Sequence, residues 1–301
     1  MFINREQELA WFEERYWSSK AEFIVLTGRR RVGKTALLAE FATAKPGVYF
    51  LAYLDSAEML LRNLSASLWE AEHGAGAVTG SYGSWLGLFQ AVGRLAAERR
   101  FVLILDEYPY LADAGERLAS VIQKLWDETL QYSHVFLVLC GSYMSVMERD
   151  VLNRDAPLYG RRTAQLTLRP LTPGQMRDFL PGRSPVELIE AYALTGGMPA
   201  YLAELHPERS LWTNLSHTAF DPANILYHDG LTLLRDEMRD PRHYAAVLRA
   251  IANGYHTLSA IAQEAGVERS SLTAYLSTLQ GAGYVERRVP VGIAPTAQRQ
   301  R

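Results

Sequence analysis

Gly28-Arg29-Arg30-Arg31-Val32-Gly33-Lys34-Thr35 sets two glycines five positions apart, with a lysine and a threonine directly after the second. That spacing is GxxxxGK[ST], a loop built to hold phosphate. Glycine at both ends permits backbone angles that turn successive N–H groups inward, and the helix that follows adds its positive end. Gly28, Arg31, Val32, Gly33, Lys34, Thr35 and Ala36 are therefore the expected phosphate-wrapping stretch. Lys34 supplies a cation for the β- and γ-phosphates, and Thr35 a hydroxyl for Mg²⁺. The chain has only four lysines, so a chance lysine at this position is improbable. The side chains of Arg29 to Arg31 read as a solvated loop face without a role of their own.

Two further motifs carry chemistry. Phe101-Val102-Leu103-Ile104-Leu105 runs into Asp106-Glu107. At the end of a parallel strand, Asp106 is expected beside the phosphate loop, holding the Mg²⁺ shell, with Glu107 as general base on the attacking water. An acid poised on water favours hydrolysis over transfer to another substrate. Leu137-Val138-Leu139-Cys140-Gly141-Ser142 is a second apolar strand ending in a small polar residue, and Ser142 is expected to sense the γ-phosphate. Cys140 reads as a buried filler.

The elements that must position these groups are legible as alternation. Strands are expected at Phe23–Leu26, Val48–Leu54, Phe101–Leu105, Val135–Cys140 and Thr163–Leu168, and helices at 1–20, Lys34–Ala44, Ala57–Glu72, Ser84–Arg99 and Gly115–Gln131. Near-continuous apolar strands alternating with helices give an α/β fold, a parallel sheet with helices on both faces. That core takes residues 1–175, a helical lid punctuated by prolines 176–240, and a last module 241–290, leaving 291–301 as a tail.

The last module reads as a winged helix-turn-helix: helices at Tyr244–Asn253, Leu258–Ala265 and Ser270–Gln280, then a strand and wing at Gly283–Arg288. Residues 241–301 hold seven arginines and three glutamates, a charge of +4 in a chain whose total is −2. That asymmetry favours contact with nucleic-acid phosphates, through Arg269, Ser270, Thr273 and Ser277 on the third helix and Arg287 and Arg288 at the wing.

The whole chain of 301 residues is 48% hydrophobic and 21% charged, the composition of a globular protein with two domains or one core and appendages. Its balance excludes binding to nucleic acid by bulk charge. One cysteine excludes an internal disulfide. No apolar run approaches the ~20 residues of a membrane span. With no basic start or apolar stretch at the N-terminus, the expected address is the cytoplasm, with no membrane partner.

In their order, with an additional strand between the first two, these motifs resemble the AAA-like branch of the P-loop ATPases. Phe2-Ile3-Asn4-Arg5-Glu6-Gln7-Glu8-Leu9, Asp106-Glu107-Tyr108-Pro109-Tyr110-Leu111, Pro157-Leu158-Tyr159-Gly160-Arg161 and Thr195-Gly196-Gly197-Met198-Pro199 narrow the likeness to the archaeal-type ATPases of the STAND group. The resemblance implies ATP with Mg²⁺ as cofactors and Arg5 near the adenine. It further implies Arg161 as a trigger arginine acting in cis or from a neighbouring copy, with Arg162 in reserve. Gly197 and Pro199 would form a lid turn on the adenine. The expected function is ATP hydrolysis coupled to the winged helix. The alternatives are a nucleotide-gated DNA-binding regulator with little turnover, and a partner-binding scaffold.

Overall fold

The computed structural model describes residues 3–74, 76, 80–114, 117–238 and 240–288, and the expected tail at 291–301 lies outside them. The chain divides into two compact units, residues 1–218 and 219–301.

The first unit opens with α1 (Glu6–Tyr16), β1 (Glu22–Thr27), α2 (Lys34–Ala42), β2 (Gly47–Leu51), α3 (Ala57–His73), α4 (Trp85–Glu98) and β3 (Phe101–Asp106). It continues through α5 (Tyr108–Ala114), α6 (Leu118–Glu128), β4 (Val135–Gly141), α7 (Met144–Met147), β5 (Ala164–Thr167), α8 (Pro185–Thr195), α9 (Pro199–Leu202) and α10 (Leu211–His217). All four strand pairings are parallel, in the order β2-β3-β4-β1-β5.

The apolar strands follow from burial on both faces. Phe23 and Val25, Phe101, Leu103 and Leu105, and Val135, Leu137 and Leu139 point into one cluster, with α3, α4 and α6 over it. The alternate residues Ile24 and Leu26, Val102 and Ile104, and Phe136, Val138 and Cys140 join the other, under α1 and α2. A strand has period two, so a strand covered twice has no polar face to offer. At the edge, β5 alternates half-buried with exposed residues. The helices start where side-chain caps allow: Ser56, Ser84 and Ser184 each accept a backbone N–H, and Ser184 with Glu187 completes a capping box ahead of Pro185.

One expected helix is corrected. In place of a single helix over Gly115–Gln131, the structure has α5 starting directly after Glu107 and α6 starting at Leu118. Glu107 adopts φ +53, a left-handed turn that sends the chain from strand straight into helix, and Pro109 is tolerated in a first turn. Gly115 itself lies outside the described residues.

Beyond β5, Leu171, Met176, Leu180, Leu188, Ala191, Leu202 and Leu205 form a small separate core. In the second unit α11 (Ile225–Glu237), α12 (Pro241–Ala252), α13 (Leu258–Ala265) and α14 (Arg269–Gly281) share one core. Leu234 and Met238, in or just after α11, pack with Val247, Ile261, Leu272 and Leu279. The expected strand at Gly283–Arg288 is corrected: these residues form no strand. A strand needs a partner for its N–H and C=O groups, and among the described residues of this unit none is present. Instead Tyr284 N–H donates to Leu279 C=O at 2.8 Å and its hydroxyl to Glu237 Oε2 at 2.9 Å.

Candidate functional site: a phosphate loop facing two acids

β1 ends at Thr27, and the chain turns through Gly28 to Gly33 into α2. Gly28 has φ +146, and a Cβ there would stand 2.6 Å from the carbonyl oxygen of Leu168 on the β5 side, so the loop passes too close to its neighbour for any side chain. Arg31 is left-handed at φ +67 and Gly33 at φ +96. Successive turns of this kind make an anion nest, and α2 adds the field of a helix N-terminus. Val32 is fully buried and anchors the loop, while Thr35 and Ala36 lie exposed on the first turn of α2.

Lys34 is only 5% exposed. Its Nζ donates to Gly28 C=O at 2.8 Å, Arg29 C=O at 3.0 Å and Ser142 Oγ at 2.6 Å. Ser142 Oγ in turn donates to Glu107 Oε1 at 3.4 Å. The three sequence motifs therefore meet in one hydrogen-bonded line at the C-terminal ends of β1, β4 and β3. Glu107 Oε2 is buried with no hydrogen-bond partner among the described residues. Burial pushes the Glu107 carboxyl above its ordinary value, partly opposed by the Lys34 charge.

Asp106 is fully buried, and β4 stands between its strand and the phosphate-loop strand. It accepts from the Glu107 N–H at 2.9 Å and the Tyr49 hydroxyl at 2.7 Å. Burial with the adjoining Asp106 carboxylate keeps this phenol protonated. Tyr49 is thus bonded to one of the two groups expected to hold Mg²⁺, a link that sequence spacing does not reveal. No cluster of three metal-ligating side chains exists among the described residues. A threonine hydroxyl and one carboxylate suit Mg²⁺, which takes few protein ligands and keeps its waters and the substrate phosphates. Cys140 is buried, and burial raises its thiol well above the usual range, so it stays an inert filler.

The remaining candidates divide. Pro199 opens α9 and lies against the loop: a Cβ on Gly33 would stand 3.9 Å from its Cγ. Gly197 holds this turn, its carbonyl accepting from Leu171 N–H at 2.8 Å. Arg5 is buried and donates to the carbonyls of Val32 at 2.9 Å and Arg169 at 2.8 Å, bracing the loop from behind. Arg161 is not brought to the loop. It precedes β5, whose first residues pair with the early part of β1, whereas the phosphate loop leaves the other end of β1. Its guanidinium grips Asp127 of α6 through Nε–Oδ1 at 2.9 Å and Nη2–Oδ2 at 2.7 Å. Arg162 donates to Val151 C=O at 2.8 Å.

The solvated reading of Arg30 is corrected. Its Nη2 donates to the Tyr143 hydroxyl at 2.6 Å and the Tyr110 hydroxyl at 3.4 Å, and its guanidinium lies 4.9 Å over the Tyr143 ring. The signal for this in the sequence is adjacency: Tyr143 follows Ser142, and Tyr110 is three residues past Glu107.

In the second unit Arg269, Ser270, Thr273 and Ser277 are exposed on α14, with Leu272 and Leu279 buried behind them. Arg287 and Arg288 are exposed beyond it.

A parallel sheet with a phosphate loop after one strand and paired acids two strands away defines a P-loop nucleoside triphosphatase core. Residues 2–205 match the ATPase domain found predominantly in Archaea, and the chain belongs to that family. Residues 244–289 match the IclR helix-turn-helix domain. An uncharacterized protein of Methanocaldococcus jannaschii is 31% identical over 97% of this chain, which spans 63% of that protein's length. An uncharacterized ATP-binding protein of the same organism is 49% identical over 45 residues, 15% of this chain and 76% of that protein. Among solved structures, the Walker-type ATPase of Pyrococcus abyssi superposes with a TM-score of 0.72 at 22% identity, covering 95% of this chain and 91% of its own, which supports the shared fold. No helix among the described residues is long and apolar enough to cross a membrane.

Proposed function

We propose that this chain hydrolyses ATP with Mg²⁺ and couples its nucleotide state to a DNA-binding helix-turn-helix. The line Lys34–Ser142–Glu107 carries the reading, because it joins a phosphate-loop cation to a half-buried carboxyl with one unpartnered oxygen. Mg²⁺, when bound with the nucleotide, would supply Lewis-acid neutralisation of the phosphate oxygens. Thr35 and Asp106 are the residues to hold it. Lys34 exchanges its loop carbonyls for β- and γ-phosphate oxygens. Glu107 takes a proton from water as the water oxygen attacks the γ-phosphorus. The bond from that phosphorus to the β–γ bridging oxygen breaks, its electron pair leaves with ADP, and inorganic phosphate is released.

Arg161 fits this scheme from a neighbouring copy, since within its own chain it belongs to the opposite end of β1. Turnover measured over a range of protein concentrations tests this. A specific rate that climbs with concentration, and a loss in Arg161→Ala confined to the high end, are expected. A rate strictly linear in protein with a full Arg161→Ala defect at high dilution would overturn the assignment.

A regulator with little turnover is the second reading, favoured by the helix-turn-helix match and the exposed polar face of α14. Titration of labelled duplex DNA with and without ATP separates the two. DNA affinity that responds to nucleotide while turnover stays negligible supports the regulator.

A further inference from the structure

The phosphate loop carries a second cation that the motif does not require. Arg30 extends from the loop to the residue after Ser142 and to the helix after Glu107, through the hydroxyls of Tyr143 and Tyr110. These two rings contact each other edge to face, with centroids 5.9 Å apart and hydroxyls 3.5 Å apart. Arg30 is half-buried, and its guanidinium carbon lies 4.9 Å over the centre of the Tyr143 ring. Its charge reaches Glu107, where it joins Lys34 in opposing the effect of burial. Lys34 and Arg30 therefore bear on the same short segment: Lys34 bonds Ser142 directly, and Arg30 bonds its chain neighbour Tyr143.

Guanidinium geometry gives this position a use. The group is planar with five donors in a fork, so one edge can stay on a phenol while another meets anionic oxygens. A phosphate seated on Lys34 and Ser142 would come up to that fork. The α- and β-phosphates belong to the loop backbone, so the oxygens left for Arg30 are those of the terminal phosphate.

We propose that Arg30 is a γ-phosphate-binding residue, a cis arginine that lets the site tell a nucleoside triphosphate from a diphosphate. Tyr143 and Tyr110 are its positioning residues. The inference rests on the hydrolase reading and adds to it the residue that reads the terminal phosphate within one chain.

The test uses the full chain with Mg²⁺ and two probes, ADP and a non-hydrolysable ATP analogue, on wild type, Arg30→Ala, Arg30→Lys and Tyr143→Phe. Because Arg30→Ala removes a charge-assisted hydrogen bond to the terminal phosphate, analogue affinity should weaken by about 10–100-fold with ADP affinity unchanged. Arg30→Lys restores part of that affinity, since it keeps charge without the fork. Tyr143→Phe gives a smaller loss, again confined to the analogue, and serves if Arg30→Ala does not fold. Equal weakening of both nucleotides, or no weakening of the analogue, would overturn the role of Arg30 while leaving the hydrolase reading intact. Wild type that binds neither probe would overturn the hydrolase reading, and this inference with it.

Discussion

The Lys34 ammonium and the Glu107 carboxyl are joined through a single hydroxyl, with Ser142 Oγ 2.6 Å from Lys34 Nζ and 3.4 Å from Glu107 Oε1. The group that would grip a phosphate and the group that would deprotonate water are thus held in register by one side chain just past the intervening strand β4. Removing the serine should separate binding from turnover. Ser142→Ala is expected to keep nucleotide affinity within a few-fold and to lower turnover by about tenfold, whereas Lys34→Ala should abolish binding. Fluorescent-nucleotide titration alongside phosphate release measures both; equal losses in the two quantities for Ser142→Ala would refute the linkage.

Glu107→Gln is expected to bind ATP and to lose about 10²–10⁴ in turnover. The acid limb of wild-type turnover should lie above the ordinary carboxylate value of 4.5, because burial raises this group. Phosphate release measured across pH checks both expectations.

The same shift has a stability counterpart. A carboxyl raised in the folded state holds its proton more tightly folded than unfolded, so ionising it costs stability. That cost is absent below about pH 4.5, grows as pH rises through the raised value and is complete above it. Glu107→Gln should therefore melt higher than wild type at neutral pH, with the gap closing toward about pH 4. Melting curves across that range decide it, and a gap independent of pH would contradict the buried-carboxyl account.

Gly197 stands at φ +71, and a Cβ added there would run into the backbone carbonyl of Leu171. Gly197→Ala should cost at least about 1–3 kcal/mol from backbone strain, the steric clash adding to it. Urea unfolding gives the number. Because Pro199 leans on Gly33, nucleotide affinity should fall in the same variant; a fully stable, fully binding Gly197→Ala would show that the turn is not needed.

If the second unit meets DNA, Arg269, Arg287 and Arg288 contribute through charge. Each of them that neutralises a phosphate should, on replacement by alanine, reduce the slope of log K against log salt by about 0.9. An unchanged slope in the triple variant would rule these arginines out as phosphate-binding groups.

Much of this protein is readable in one dimension. Gly28, Gly33, Lys34 and Thr35 are specified by a loop whose geometry tolerates few other residue types, and strands buried on both faces announce themselves as unbroken apolar runs. Harder to read is anything that depends on where separate elements end up. Helix α5 escapes the pattern because a single left-handed residue, Glu107, decides whether a strand ends in a loop or in a helix. Tyr284-Val285 has the residue types of a wing strand, yet a strand exists only when another backbone completes its hydrogen bonds.

Sequence by itself determined the phosphate loop, the paired acids, the parallel sheet and the helical composition of the second unit, since each rests on local spacing or on period-two and period-3.6 patterning. Tertiary structure alone decided that Tyr49 bonds Asp106, that Arg30 reaches Tyr143, and that Arg161 sits with Asp127 away from its own loop. Those outcomes depend on strand order β2-β3-β4-β1-β5 and on side-chain reach across it, and no spacing along the chain encodes which strand lies next to which.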